Sequence, residues 1–249
     1  MQSRYFTCLF LASSMLMHSI KAQDSLPAVK PLSADLLPPV NVLSTRPFFT
    51  ESLPGVRKTF LYAGKRSEVI RISESDINVP DKTGRQLFAR IPGVFVYDMD
   101  GTGNQLNIAT RGLDPHRSWE MNIRQNGVII NSDLYGYPAS HYSPPLESIG
   151  QVELVRGTAS LQYGPQFGGM VNYVTRSPDT TRHVEFESIH SSGTFGHLSS
   201  YLAIGGRVGR WTYHAYNYIR KSEGYREHSA SKANAQYISI AYLVNSRLS

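Results

Sequence analysis

Beyond Pro178 the chain falls into short segments punctuated by glycine, and this segmentation is what most limits the folds open to it. His183–Ile189, Leu198–Gly205, Trp211–Arg220 and Gln236–Val244 each hold about 8–10 residues with partial period-2 alternation. In the first, Val184 and Phe186 oppose Glu185 and Glu187; in the last, Ile238, Ile240 and Tyr242 oppose Ser239 and Ala241. Successive side chains of a strand point to opposite faces, so each segment reads as a strand with one apolar face. Helical membrane spans are excluded here, because no apolar run beyond the N-terminus approaches the roughly 20 residues a bilayer demands. Segments of this length with Tyr and Trp near their ends fit the wall of a membrane barrel. They fit an ordinary soluble antiparallel sheet as well, because Trp211–Arg220 alternates poorly.

The N-terminus places the chain outside the cytoplasm. Arg4, the apolar run Tyr5–Met17 and the small residue Ala22 before Gln23 stand in the order of a secretory signal peptide, expected at residues 1–22. Cys8, the only cysteine, would leave with it, so no disulfide framework is available. The formal charge of +6 is mild, and nothing in it calls for nucleic acid. Residues 23–59 carry Pro27, Pro31, Pro38, Pro39, Pro47 and Pro54, too many for a helix or a central strand, and read as a flexible leader. Within it Leu37-Pro38-Pro39-Val40-Asn41-Val42-Leu43 is an apolar island. It could add as an edge strand to another protein or pack on the domain behind it.

Residues 60–178 read as a mixed domain. Val69–Ile72, Val94–Tyr97, Leu106–Ala109, Glu120–Arg124, Val128–Ile130, Val152–Arg156 and Met170–Thr175 are predicted strands. Lys82–Arg90 is a predicted helix with Leu87, Phe88 and Ile91 on its apolar side, stopped by Pro92-Gly93. Asn126-Gly127 is a hairpin turn, because both residues tolerate the positive φ that a two-residue loop requires.

Five blocks then stand in a recognisable order: Ile91-Pro92-Gly93-Val94; Thr110-Arg111-Gly112-Leu113; Gln125-Asn126-Gly127-Val128; Val152-Glu153-Leu154-Val155-Arg156-Gly157 with Ala159–Gly164; and Gly168–Thr175. Together they resemble the plug domain of a TonB-dependent outer-membrane receptor followed by the start of its barrel. Tyr163-Gly164-Pro165-Gln166, Val171–Arg176 and Arg226–Ala230 are similar to the ferric-citrate and ferric-siderophore branch. The implied fold class is an α+β plug domain followed by antiparallel β-strands of an incomplete transmembrane β-barrel, the strands beginning at residue 179. The family's barrels have about 22 strands, whereas residues 179–249 suffice for about four at roughly 9–11 residues each. The chain is therefore expected to be a C-terminally truncated fragment.

The resemblance implies a function and a set of residues. It implies energised import of an iron chelate across the outer membrane of a Gram-negative bacterium, the plug filling the periplasm-facing lumen. Leu37–Leu43 would be the box gripped by TonB and its inner-membrane energising complex. The short stretch before Leu37 would leave no room for a signalling domain. Arg111, Glu153 and Arg156 would form a charged cluster joining plug to barrel, with acidic partners in the wall. Asp98–Asn104 and Asp114–Trp119 would be the ligand-facing loops. Thr102, Gln105 and Arg117 are the predicted ligand contacts, since arginine suits anionic chelates. Outer-membrane lipid and the ferric chelate are the other expected partners, and iron would enter only as part of that chelate, with no resident cofactor or metal site.

An enzyme reading finds no support in the motifs. There is no Gly-x-Ser-x-Gly elbow, His-Glu-x-x-His helix or phosphate loop. His183, His190 and His197 recur at odd spacing, which throws neighbours to opposite strand faces and argues against a shared metal. Asp98, Asp100 and Asn104 lack the closing Glu of a calcium loop. The alternative to a receptor is a soluble secreted ligand-binding module made of the plug-like domain alone.

Overall fold

The computed structural model describes residues 53–244, except positions 55, 58–59, 62–66, 75–76, 78, 80–83, 89–90, 98–102, 104, 133–140, 158–163 and 165. The signal peptide and the Leu37–Leu43 box lie outside the described residues, as does Thr102. The strands are β1 (Val56–Arg57), β2 (Phe60–Leu61), β3 (Ser67–Arg71), β4 (Val94–Tyr97), β5 (Asn107–Thr110), β6 (Met121–Gln125), β7 (Val128–Ile129), β8 (Ile149–Arg156) and β9 (Gly169–Thr175). Four longer ones follow: β10 (Glu185–Gly193), β11 (His197–Val208), β12 (Trp211–Ser222) and β13 (Ser231–Tyr242). One α-helix, α1 (Gly84–Phe88), is described.

The first part is organised by a five-stranded sheet of order β3-β8-β9-β6-β7. β6 and β9 run parallel while every other pair is antiparallel. On one face Leu87 and Phe88 of α1, with Ile91, meet Ile70, Ile123, Val152, Leu154 and Val171 in the main core. On the other, Leu53, Val69, Val155 and Met170 form a smaller one. Burying side chains of this kind contributes about 1.5–3 kcal/mol each, which lets strands with polar insertions hold together. The predicted helix stop is in place: Gly93 has φ +74°, and the amides of Ile91 and Val94 donate to Phe88 and Ile91 carbonyls. Asn126 (φ +50°) and Gly127 (φ +82°) make the β6–β7 turn.

At Gly169 the sheet leaves no room for a side chain. Its φ is +128°, and an added Cβ would sit 2.4 Å from the Val155 carbonyl oxygen. The close approach is therefore between β8 and β9 inside the domain.

The second part is an antiparallel meander, β10-β11-β12-β13. Its strands outrun the predicted segments: β12 and β13 each run 12 residues. One face carries Tyr201, Ala203, Tyr216 and Tyr218, buried, with Ile189 and Tyr237 beside them. Tyr216 stacks on Tyr237 at 5.4 Å between ring centroids. The opposite face exposes Phe186, Leu202, Ile204, Ile238 and Ile240. Trp211 and Tyr242 lie 4.7 Å apart at the end carrying the tight Gly209-Arg210 turn.

Candidate functional site

The loop Asp114–Trp119, expected to face ligand, is tied to β5, whereas Asp98–Asn104, apart from Gly103, lies outside the described residues. Asn107 and Ser118 are buried side chains at the start of β5 and in the turn His116–Ser118. Asn107 Oδ1 accepts the Arg117 amide at 2.9 Å, Ser118 Oγ donates to the Leu106 carbonyl, and the Ile108 amide donates to Ser118 Oγ at 3.1 Å. These bonds stand in for a regular turn: both Arg117 (φ +51°) and Ser118 (φ +54°) are left-handed, a conformation that costs a residue with a Cβ unless its surroundings fix it. Asp114 and Glu120 brace the loop from outside, accepting the His116 amide at 2.9 Å and the Asp114 amide at 3.0 Å.

Arg117 is thus held by Asn107, which lies two residues after Gln105 in the chain, and both Arg117 and Gln105 are half-buried. Arg117 Nε is buried with no hydrogen-bond partner, and among the described residues no carboxylate pairs with this guanidinium. A cation without a bonded anion can accept one from a ligand. Arg124 is differently engaged. Its Nε donates to Asn122 Oδ1 at 2.7 Å and its Nη1 to the Gly127 carbonyl at 2.5 Å, so it locks the hairpin turn.

Arg111, Glu153 and Arg156 each have contacts of their own among the described residues. Glu153 and Arg156 are three residues apart on β8, and odd spacing puts them on opposite faces. Arg156 pairs with Glu68 of β3, Nη2 reaching Oε1 at 2.8 Å and Oε2 at 2.7 Å, an acidic partner within the same domain. Glu153, 1% exposed, accepts from Asn172 Nδ2 and Gln151 Nε2, each at 2.9 Å. Arg111, left-handed at φ +57°, lays its guanidinium over Gly157, where an added Cβ would stand 2.8 Å from Nη1.

Other residues join the two parts of the fold. Arg176, just after β9, forms an ion pair with Glu187 of β10. Asn126, at the β6–β7 turn, holds the Thr175 amide on its Oδ1 at 2.8 Å and reaches the Tyr237 hydroxyl of β13 at 3.4 Å. Tyr142 shares a side-chain hydrogen bond with Tyr216. Burial, followed by the neighbouring Tyr216, pushes the Tyr142 phenol up, so it stays protonated and able to donate. Glu147 is 1% exposed in the turn Leu146–Ser148 and lies within electrostatic reach of Tyr201 and Tyr218. Sequence reasoning missed all of these as joining residues. One signal was present: a glutamate standing between Leu146 and Ile149.

With this geometry in view, comparison with known proteins is decisive for the first part. Residues 65–171 match the family described as the TonB-dependent Receptor Plug Domain. These residues are similar to a TonB-dependent receptor plug. The likeness to solved structures extends past it. The ferric citrate transporter FecA in its unliganded form is 26% identical, with a TM-score of 0.57 over 74% of this chain and 29% of that one. FpvA of P. aeruginosa, in complex with a ferric pyoverdine, is 18% identical with a TM-score of 0.55 over 74% of this chain and 24% of that one. The ferric yersiniabactin uptake receptor FyuA of Yersinia pestis is 18% identical with a TM-score of 0.52 over 72% and 29%. The last two are likenesses of fold. The chain thus spans under a third of the length of each of these receptors.

Proposed function

We propose that this chain is the plug and first wall strands of an outer-membrane receptor that imports a ferric chelate, ferric citrate or a ferric siderophore, in a Gram-negative bacterium. One observation carries the reading: the plug packs on the polar, tyrosine-rich face of a sheet whose other face is apolar and exposed. A free-standing soluble domain has no use for such an outer face, whereas a membrane wall requires it.

In this reading the chelate enters from outside and rests on the loops holding Thr102, Gln105 and Arg117. The unpaired Arg117 guanidinium supplies fixed positive charge, and its left-handed backbone, held by Asn107 and Ser118, spends no ordering entropy at binding. Binding strains the contacts between plug and wall, Arg176–Glu187 and Asn126–Tyr237 among them, and TonB pairs with Leu37–Leu43 as an added strand and pulls. No bond in the chelate is made or broken. Arg111, Glu153 and Arg156 serve in holding the plug in shape while it is pulled.

Two measurements test this. Ferric citrate titrated into the detergent-solubilised chain should bind, and Arg117→Ala should weaken binding about tenfold or more, as expected for a lost charge-assisted hydrogen bond. The periplasmic domain of TonB should capture the chain and lose it when Leu37–Leu43 is deleted. Unchanged binding in Arg117→Ala would overturn the ligand assignment, and capture indifferent to the deletion would overturn the box.

A further inference from the structure

The apolar face of the meander ends in a feature that the import reading does not use. The strand register sorts this face into rows. Near the tight turn lie Val208, Trp211 and Tyr242; further along come Phe186, Ile204, Ala215 and Ile238. Polar amides follow, with Asn217 opposite Gln236, and the last row places Lys221 directly opposite Lys232. Both lysines are exposed and share this face with Ile219 and Ile238. With His190, Leu198 and Ile219 they line a groove of about 520 Å³.

Like charges directly opposite on a sheet repel. Among the described residues neither lysine has an ion pair. The acid nearest in sequence, Glu223, leans instead over the β10–β11 turn, where its carboxyl carbon would stand 2.8 Å from a Cβ at Gly196. Apolar rows, then amides, then two bare cations are the chemical image of an amphiphile with an anionic head.

We propose that Lys221 and Lys232 form a site for a phosphate-bearing lipid headgroup, its chains lying on the apolar rows below. The proposal rests on the reading of this sheet as a membrane wall. The lysines stand at the end carrying the long connection of residues 223–230, opposite the tight turn, the end that faces outward in barrels of this kind. The headgroup is therefore one of the outer leaflet. The apolar rows distinguish it from a free anion, which would gain nothing from Ile219 or Leu198.

The test places a tryptophan two rows below the lysines, Leu202→Trp, with Trp119→Phe and Trp211→Phe removing the native reporters. The chain is reconstituted in phosphatidylcholine, and quenching by brominated phosphatidylglycerol is compared with quenching by brominated phosphatidylcholine. A lysine near an anionic lipid favours it about 5-fold. The parent should thus prefer phosphatidylglycerol about 25-fold at low salt, and the preference should vanish in the Lys221→Gln, Lys232→Gln double variant and return with arginine at both positions. Equal, strong quenching by both lipids in the parent would overturn the headgroup site while leaving the wall intact. Quenching by neither would overturn the wall and the site together. Loss of the preference on adding soluble glycerol phosphate would show a free-anion site and overturn the lipid assignment.

Discussion

Arg156→Met removes the guanidinium that Glu68 holds, and the structure sets the size of the loss. Three donor–acceptor contacts at 2.7–3.2 Å join the two side chains, which are 10% and 17% exposed. Removing one partner of a buried pair costs roughly 3–5 kcal/mol, because the survivor is left charged and unpaired. The residual exposure lets water recover part of that, so Arg156→Met and Glu68→Gln should each destabilise the plug by about 2–4 kcal/mol. In the double variant neither charge is stranded, and the two losses should fall short of additive by about 1.5–3 kcal/mol. Urea unfolding of the full chain, followed through Trp119 in a Trp211→Phe background, reads this directly. Were the true partner of Arg156 an acid of the wall, Glu68→Gln would not soften the cost of Arg156→Met. Coupling within about 0.5 kcal/mol of zero would refute the pairing.

Gly169→Ala should cost about 3 kcal/mol or more, since both its φ and its distance to the Val155 carbonyl forbid a side chain, whereas Gly112→Ala, left-handed but in open space, should cost only about 1–2 kcal/mol; thermal melts compare the two. Asn126→Ala strips both side-chain bonds to Thr175 and should lower plug stability by about 1–3 kcal/mol in urea melts, with faster amide exchange at Thr175. Asp179 accepts bonds from the Thr181 hydroxyl and amide, and these, with Arg182, hold its carboxyl below the ordinary 3.8. A depressed carboxylate contributes order above its unfolded pKa and loses it as pH falls through the folded one, so the Thr181 amide resonance should titrate with a midpoint below 3.8.

Much of the plug was legible because its signals are local. Asn126-Gly127 announces its turn, Pro92-Gly93 its helix stop, and Val152–Arg156 its strand, and all three are in place. The wall strands were legible only in part, for a physical reason. On β12 the large rings Tyr216 and Tyr218 point toward the plug with His214 and Arg220, while Asn217 and Lys221 face outward, so hydropathy does not alternate although geometry does. The first half of β13, from Ser231 to Gln236, is too polar to announce a strand and is held by its pairing with β12. The pair Arg156–Glu68 was not legible because the two residues are 88 apart in sequence, and only the pairing of β3 with β8 brings them together. The opposite facing of Glu153 and Arg156, by contrast, could have been read from their spacing alone. The grip of Asn107 and Ser118 on Arg117 had no sequence signal, since it depends on where the chain folds back.

A cysteine scan along β13 puts the membrane wall itself to the test. Single cysteines at Tyr237, Ile238, Ser239 and Ile240, in a Cys8→Ser background, are labelled with bimane and exposed to a lipid-phase nitroxide quencher. Strong quenching at 238 and 240 with protection at 237 and 239 is the predicted outcome, in step with the outward and plug-facing rows of the strand. Uniform quenching along the strand, or none anywhere, would contradict it.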